Sequence, residues 1–259
     1  MRNIVTGNWK SNKLWDDAEK LMVDVATGIH ASQHTDIFVA PPTPYLAALK
    51  AQSTAFVGLA GQQCSAHNEG AFTGEHTASM LKSAGAKAVL IGHSERRGAF
   101  GESDAVVEAK VHHALDAGLL AIVCCGENLE ERDAGQHFEK VLTQLSHAFQ
   151  NIDASRMRHV VVAYEPIWAI GTGRTASAAQ AQEMHAAIRQ HVVGLYDASI
   201  AESMRILYGG SCKPSNALEI FMQPDVNGGL IGGASLNASD FLAIVAASNE
   251  AASKEQQGG

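Results

Sequence analysis

The sequence predicts an α/β fold, a (β/α)8 barrel in which eight parallel strands are ringed by helices. Short apolar runs rich in β-branched residues recur eight times along the 259 residues, and most are separated by turn residues and amphipathic helical patterns. The runs are continuously apolar, which is typical of parallel strands that are buried on both faces. Eight such units in a chain of this length indicate a barrel.

The predicted strands are residues 4–7, 37–40, 56–60, 88–92, 119–125, 160–164, 206–208 and 230–232. Helical periodicity is clearest over residues 15–27, 104–117, 129–149 and 178–196. A doubly wound open sheet is the alternative, but it usually carries a glycine-rich dinucleotide turn after the first strand, where this chain has G-N-W-K. Without a linker or a break in composition, we expect one barrel domain over residues 1–252 and a disordered tail over residues 253–259.

The charge balance restricts the possible partners. The chain has 19 Lys and Arg against 27 Asp and Glu, a formal net charge of -8, and no cluster of basic residues. We therefore expect neither nucleic acid nor an anionic membrane surface as a partner. An anionic ligand would have to be held by local geometry, because the overall field of the protein opposes it.

The sequence favours a cytoplasmic protein. Its longest apolar run, residues 119–125, is far shorter than the roughly twenty residues needed to cross a bilayer. The first residues lack the apolar segment of a signal peptide. The cysteines lack C-x-x-C spacing, so we expect reduced, mostly buried thiols that serve packing: Cys64, Cys124, Cys125 and Cys212.

Polar residues occur where the apolar runs stop, which in a barrel is the functional face. After strands one, four and six these residues are Asn8, Lys10, His93, Ser94, Glu95 and Glu165. Glycine-rich turns follow strands seven and eight: Gly209, Gly210 and Ser211, then Gly232 and Gly233. A proton acceptor, a hydrogen-bond donor, a cation and two phosphate-type loops suit proton transfer beside a carbonyl of a small phosphorylated substrate. Backbone N–H groups of the loops could hold a dianion without a basic patch.

The segment after Glu165 has the composition of a lid, which we place at residues 166–174. Pro166 fixes one end, the run I-W-A-I supplies apolar faces, and Gly171 and Gly173 permit backbone angles that other residues avoid. Closure over Glu165 would exclude water from the carboxylate.

Five motifs on five strand ends resemble the triosephosphate isomerase family, in order and over nearly the whole chain. They are N-W-K at 8–10, G-H-S-E-R-R at 92–97, A-Y-E-P-I-W-A-I-G-T-G at 163–173, Y-G-G-S at 208–211 and G-G-A-S-L at 232–236. The resemblance implies a TIM barrel that interconverts dihydroxyacetone phosphate and D-glyceraldehyde 3-phosphate through an enediolate. It implies a cytoplasmic enzyme without metal or cofactor that serves both glycolysis and gluconeogenesis.

The resemblance also implies the roles of individual residues. Glu165 would be the base, and neutral His93 would polarise the carbonyl oxygen and move protons between the two substrate oxygens. Lys10 would stabilise negative charge, Asn8 would donate a further hydrogen bond, and Glu95 would support the lysine. The residues whose backbone N–H groups would hold the phosphate are Gly171, Ser211, Gly232 and Gly233.

G-A-F-T-G-E at residues 70–75 resembles the family's third loop, which reaches into a neighbouring subunit and so implies a homodimer. Thr73, Gly74 and Glu75 would lie in the interface, with Thr73 near Asn12 and His93 of the neighbouring subunit.

The chain differs from the family's usual pattern at a few positions: Arg174 in the lid, His76 and Thr77 after the third loop, and residues 227–229 before strand eight. These differences bear on the lid, the interface and strand eight. They leave the catalytic set unchanged.

Three other functions are alternatives to the isomerase. A Schiff-base aldolase could use Lys10 as its nucleophile, although this lysine does not lie in an apolar stretch that would lower its pKa. A phosphosugar-binding protein without activity is conceivable from the fold alone. A metal enzyme could use His30 and His34, which have helical i, i+4 spacing, but no third ligand accompanies them.

Overall fold

The computed structural model describes residues 2–29, 34–170 and 175–258. Its strands form a closed parallel barrel in which each strand pairs with the next and the eighth pairs with the first. The strands are β1 Asn3–Asn8, β2 Thr35–Ala40, β3 Val57–Gly61, β4 Ala86–Ile91, β5 Leu120–Cys125, β6 Val160–Tyr164, β7 Arg205–Tyr208 and β8 Gly228–Ile231. The predicted (β/α)8 barrel is confirmed, and each predicted strand lies within two residues of an observed one.

Helices lie outside the barrel and connect its strands. They are α1 Trp15–Gly28, α2 Thr43–Leu49, α3 Ala78–Ser83, α4 Ser94–Phe100, α5 Asp104–Asp116, α6 Leu129–Asp133, α7 His137–Ala148, α8 Ala178–Leu195, α9 Ala198–Ser203, α10 Ala217–Phe221 and α11 Ala238–Gly258. Short 3-10 helices cover Ala154–His159, Ile167–Ala169 and Gly233–Leu236. Among the described residues no helix is both long and apolar enough to cross a membrane.

The core has two apolar layers because the side chains of a strand alternate between its faces. In β4, Ala88 and Leu90 belong to the cluster inside the barrel, whereas Val89 and Ile91 belong to the larger layer between strands and helices. Burial on both faces explains the continuous apolar runs of the sequence. All four cysteines are buried and unpaired, as predicted.

The helix predicted over residues 129–149 is wrong as a single element. A capping box between Asn128 and Glu131 starts α6, and the helix stops at Asp133. Gly135 then adopts a φ of 72°, a left-handed conformation that ends helices, before α7 begins at His137. Apolar periodicity continues across this break, so the pattern alone did not reveal it.

The last helix, α11, runs to Gly258 and so overlaps the tail predicted to be disordered. The end of the chain consists largely of good helix formers, and Lys254 Nζ lies 2.6 Å from Glu250 Oε1 one turn earlier. Disorder of residues 253–259 in solution, like the domain bounds, stays a prediction.

The glycine-rich entry to β8 is fixed by packing. A Cβ on Gly228, whose φ is 111°, would lie 2.0 Å from the carbonyl oxygen of Ile4 on β1. Asn227 Oδ1 accepts hydrogen bonds from the backbone N–H of Ile206 and from Arg189 Nη2, each 3.0 Å long. Asn227 and Gly228 therefore tie the start of β8 to β1, β7 and α8.

Candidate active site

The carboxyl ends of the strands surround a cavity of about 980 Å³. Eight of the predicted site residues line it: Asn8, Lys10, His93, Glu95, Glu165, Ser211, Gly232 and Gly233. Ser94, Gly209 and Gly210 also line this cavity. Gly171, together with Gly173 and Arg174 of the predicted lid, lies outside the described residues.

Glu165 follows β6 directly and is only 1% exposed. Its Oε2 accepts a hydrogen bond of 2.9 Å from the backbone N–H of Ser94, and its Oε1 accepts one of 2.9 Å from Ser94 Oγ. His93 Nε2 lies 3.1 Å from the same Oε1. The start of α4 therefore supplies three donors that hold the carboxylate at the wall of the cavity.

His93 is the N-cap residue of α4, and its Nδ1 accepts a hydrogen bond of 3.2 Å from the backbone N–H of Glu95. A ring nitrogen that accepts a hydrogen bond carries no proton, which places the single proton of the neutral imidazole on Nε2. The Nε2–H group points to Glu165. In this tautomer His93 can donate a hydrogen bond to an oxygen in the cavity without carrying a charge.

Lys10 has an unusual backbone, with a φ of 52°. Such left-handed conformations cost free energy in non-glycine residues and persist where the surroundings hold them. Asn8 Oδ1 accepts a hydrogen bond of 3.0 Å from the Lys10 N–H, and Gln62 Nε2 donates one of 2.8 Å to its carbonyl. The ammonium group lies 2.6 Å from Glu95 Oε1. The backbone is thus fixed on both sides while the side chain reaches the cavity, and sequence reasoning missed Gln62.

The two glycine-rich turns lie at the same cavity. A Cβ on Gly232 would be 3.5 Å from Lys10 Cε, so the turn after β8 passes close to the lysine. A Cβ on Gly210 would be 2.3 Å from the Tyr208 hydroxyl and 2.8 Å from Pro166 Cγ. Glycine at 210 therefore allows the turn after β7 to pack against the first residue of the predicted lid.

Glu127, which sequence reasoning missed, anchors the first part of the predicted lid. It is fully buried, and its Oε1 accepts hydrogen bonds of 2.8 Å from Trp168 Nε1, 3.0 Å from the Tyr164 hydroxyl and 2.9 Å from Arg132 Nη1. Burial, together with the nearby Glu127 charge, raises the pKa of Tyr164 well above its ordinary value and keeps it a donor. The available signal was C-C-G-E, an acidic residue two positions beyond the end of β5.

The predicted interface residues lie on the surface. Thr73, Gly74 and Glu75 belong to an exposed loop, and Gly74 has a φ of 94°. Asn12 is exposed as well, and its Nδ2 donates a hydrogen bond of 2.7 Å to the carbonyl of Trp9. Asn12 and Leu14 line a second, open cavity of about 630 Å³.

Within residues 2–29, 34–170 and 175–258, no group of three or more His, Cys, Asp or Glu side chains could hold a metal ion. Of the histidine pair considered for a metal, His30 lies outside this part of the chain.

The barrel and its cavity define an enzyme of the (β/α)8 class whose site combines a buried carboxylate, an imidazole and a lysine. A family model described as triosephosphate isomerase matches residues 3–248. The chain is 48% identical over 249 residues to the triosephosphate isomerase of Dechloromonas aromatica, covering 96% of this chain and 99% of that protein. It is 47% identical to that of Prosthecochloris aestuarii, with 96% and 99% covered, and 45% identical to that of Syntrophotalea carbinolica, with 94% and 97% covered.

The chain belongs to the triosephosphate isomerase family. It is an isomerase of glycolysis that interconverts dihydroxyacetone phosphate and glyceraldehyde 3-phosphate. The predicted resemblance is confirmed, and it favours the isomerase over the aldolase and over a binding protein without activity.

Proposed function

We propose that Glu165 removes the proton from carbon one of dihydroxyacetone phosphate and returns it at carbon two, without a metal or a cofactor. The observation that carries this proposal is the convergence of the Glu165 carboxylate, the His93 Nε2–H and the Lys10 ammonium group on one cavity. An acceptor, a neutral donor and a cation are the groups needed to form an enediolate next to a carbonyl.

The base must change its position during the reaction. Both oxygens of Glu165 are hydrogen bonded to Ser94, so the carboxylate has to leave Ser94 to reach a carbon of the substrate. Ile167 and Ile170 line the cavity beside it. If the predicted lid, residues 166–174, closed over the carboxylate, apolar side chains would replace the water around it. A less hydrated carboxylate is a stronger base.

His93 and Lys10 stabilise the intermediate in different ways. The Nε2–H of neutral His93 donates to the oxygens of the enediolate and can pass a proton between them. Lys10 supplies a positive charge, and Glu95 fixes the lysine through the 2.6 Å contact. Asn8 supports the same segment by accepting the Lys10 N–H.

The phosphate is held by backbone groups, which reconciles an anionic substrate with a protein of net charge -8. Ser211, Gly232 and Gly233 line the cavity on the side of β7 and β8, and Gly171 would complete the set from the lid. Backbone N–H groups at such turns and at the start of a short helix bind dianions without a basic patch.

The protein acts as a cytoplasmic homodimer. Leu14 is 78% exposed and Phe100 is 70% exposed, and Phe72 and Met80 are also unusually exposed for apolar side chains. The loop with Thr73, Gly74 and Glu75 would cover such surface on a second copy near Asn12. Analytical ultracentrifugation at micromolar protein should give a dimer, and a monomeric mass would refute this assembly.

The test of the base is proton NMR of the metal-free protein with dihydroxyacetone phosphate in D2O, comparing wild type with Glu165→Gln. We expect deuterium at the transferred position in the wild type and neither exchange nor isomerisation in the variant. Glu183→Gln, exposed on α8, is the matched control and should keep full activity. Exchange that persists in Glu165→Gln would overturn the assignment. Borohydride treatment with substrate should leave Lys10 unmodified, because the proposed mechanism has no Schiff base.

A further inference from the structure

The backbone of Glu165 rests on the turn after β5. The Glu165 N–H donates a hydrogen bond of 2.7 Å to the carbonyl of Cys125, and the Ile167 N–H donates one of 3.1 Å to the carbonyl of Glu127. Between these two contacts, a Cβ on Gly126 would lie 1.9 Å from the carbonyl oxygen of Glu165. Residues 125–127, here called the support turn, therefore set where the backbone of the base lies.

A side chain from a helix outside the barrel holds the middle of the support turn. Gln144 Oε1 accepts a hydrogen bond of 2.9 Å from the backbone N–H of Gly126, and this bond is buried. Gln144 itself is 5% exposed on a face of α7 that otherwise buries Val141, Leu145 and Ala148. An aliphatic side chain of the same size would suit this face without the cost of burying an amide. The polar residue is therefore explained by the bond that it makes to Gly126.

We propose that Gln144 is a positioning residue for the catalytic base, acting through Gly126. The inference rests on the proposed role of Glu165. Without the acceptor, the buried Gly126 N–H loses its partner, and the support turn must move to find another. Any movement passes to Glu165, because the two backbones are in direct contact. Misplacement of a reacting group by about 1 Å can cost about 100-fold in rate.

The expected effect is on turnover rather than on binding. Gln144 does not line the cavity, and three of the four residues proposed to hold the phosphate, Ser211, Gly232 and Gly233, lie in the turns after β7 and β8. We expect Gln144→Leu to lower kcat by about 10- to 100-fold and to leave KM within about threefold of wild type. An equal change in both directions of the reaction should follow, because the same base serves both.

The experiment compares three variants at a temperature where each is fully folded. Gln144→Leu removes the acceptor at similar volume, whereas Gln144→Glu keeps an acceptor oxygen in either protonation state and should restore most of kcat. Val141→Ala, on the same buried helix face but at a side chain that cannot accept the Gly126 hydrogen bond, should lower the melting temperature and leave kcat unchanged. Amide exchange of Gly126, followed by NMR, should become faster in Gln144→Leu only. If this variant does not fold, Gln144→Asn, which withdraws the acceptor by one methylene, takes its place.

Several results would overturn the proposal. The first is an unchanged kcat in Gln144→Leu. The second is a loss of kcat in Gln144→Glu as large as that in Gln144→Leu. The third is a loss of kcat in Val141→Ala that accompanies its loss of stability. The role of Glu165 is tested separately: if Glu165→Gln is inactive while Gln144→Leu is fully active, only the role of Gln144 fails. If Glu165→Gln remains active, the proposed base itself is wrong.

Discussion

His185 should make the fold sensitive to acid in a way that one substitution can isolate. The side chain lies on α8, is completely buried, and its Nδ1 lies 3.1 Å from the carbonyl oxygen of Asp225. Its Nε2 has no hydrogen-bond partner among the described residues, and the ring packs edge-on against Tyr164. Burial lowers the pKa of His185 to about 4; the hydrogen bond to Asp225 opposes this, and the charge of Arg189 adds to it.

The sign and size of the effect follow from the two states. Above pH 6.5 the imidazole is neutral in both the folded and the unfolded chain, so it contributes no dependence on pH. As the pH falls below 6.5, His185 binds a proton in the unfolded chain, whereas in the folded chain it stays neutral down to about pH 4. The free energy of unfolding should therefore fall by about 3 kcal/mol across this window, at about 1.4 kcal/mol per pH unit.

His185→Asn isolates this contribution. Its amide can still donate to the Asp225 carbonyl, but it cannot bind a proton. Urea unfolding should be measured from pH 7.5 to 4.5 at one protein concentration, because the proposed dimer would make stability depend on concentration. The variant should be less stable at pH 7.5, where it leaves a small cavity, and should lose much less stability on acidification. Parallel curves for the two proteins would refute the reasoning, because all other titrating groups are common to both.

Three further predictions follow from the site and its surroundings. Gly126→Ala should reduce kcat severely and destabilise the fold, because its Cβ would lie 1.9 Å from the Glu165 carbonyl oxygen. The control Gly194→Ala has open space around its Cβ in α8 and should stabilise the fold by up to about 1 kcal/mol. Cys124→Ser should lower the free energy of unfolding by about 1–3 kcal/mol, since it buries a hydroxyl inside the barrel, and should lower stability more than turnover; lost turnover with unchanged melting would contradict this. Activity should be unaffected by EDTA, and a loss that zinc reverses would refute the metal-free mechanism.

The barrel was predictable because each of its strands and helices is indicated by a local pattern of residues. A parallel strand buried on both faces needs a short, continuous apolar run, and a helix on its outside needs a period near 3.6 residues. Both patterns are complete within a few neighbouring residues. The position of the site followed from the same reasoning, since polar residues at strand ends such as Glu165 and His93 can only meet at the mouth of a barrel.

The break between α6 and α7 was not predictable from periodicity. The apolar positions of both helices keep a common spacing, and the break depends on the left-handed backbone of Gly135. A glycine within a helical pattern is compatible with either a continuous or an interrupted helix. The surrounding packing decided between them.

The sequence by itself determined the strands, most of the helices and the residue types that meet at the cavity. Only the tertiary structure decided which hydrogen bonds hold them in place. These bonds join Ser94 to Glu165, Trp168 to Glu127, and Gly126 to Gln144. These partners lie 71, 41 and 18 positions apart. Each bond forms only when the barrel closes and the helices pack around it, and no local pattern of residues encodes such distances.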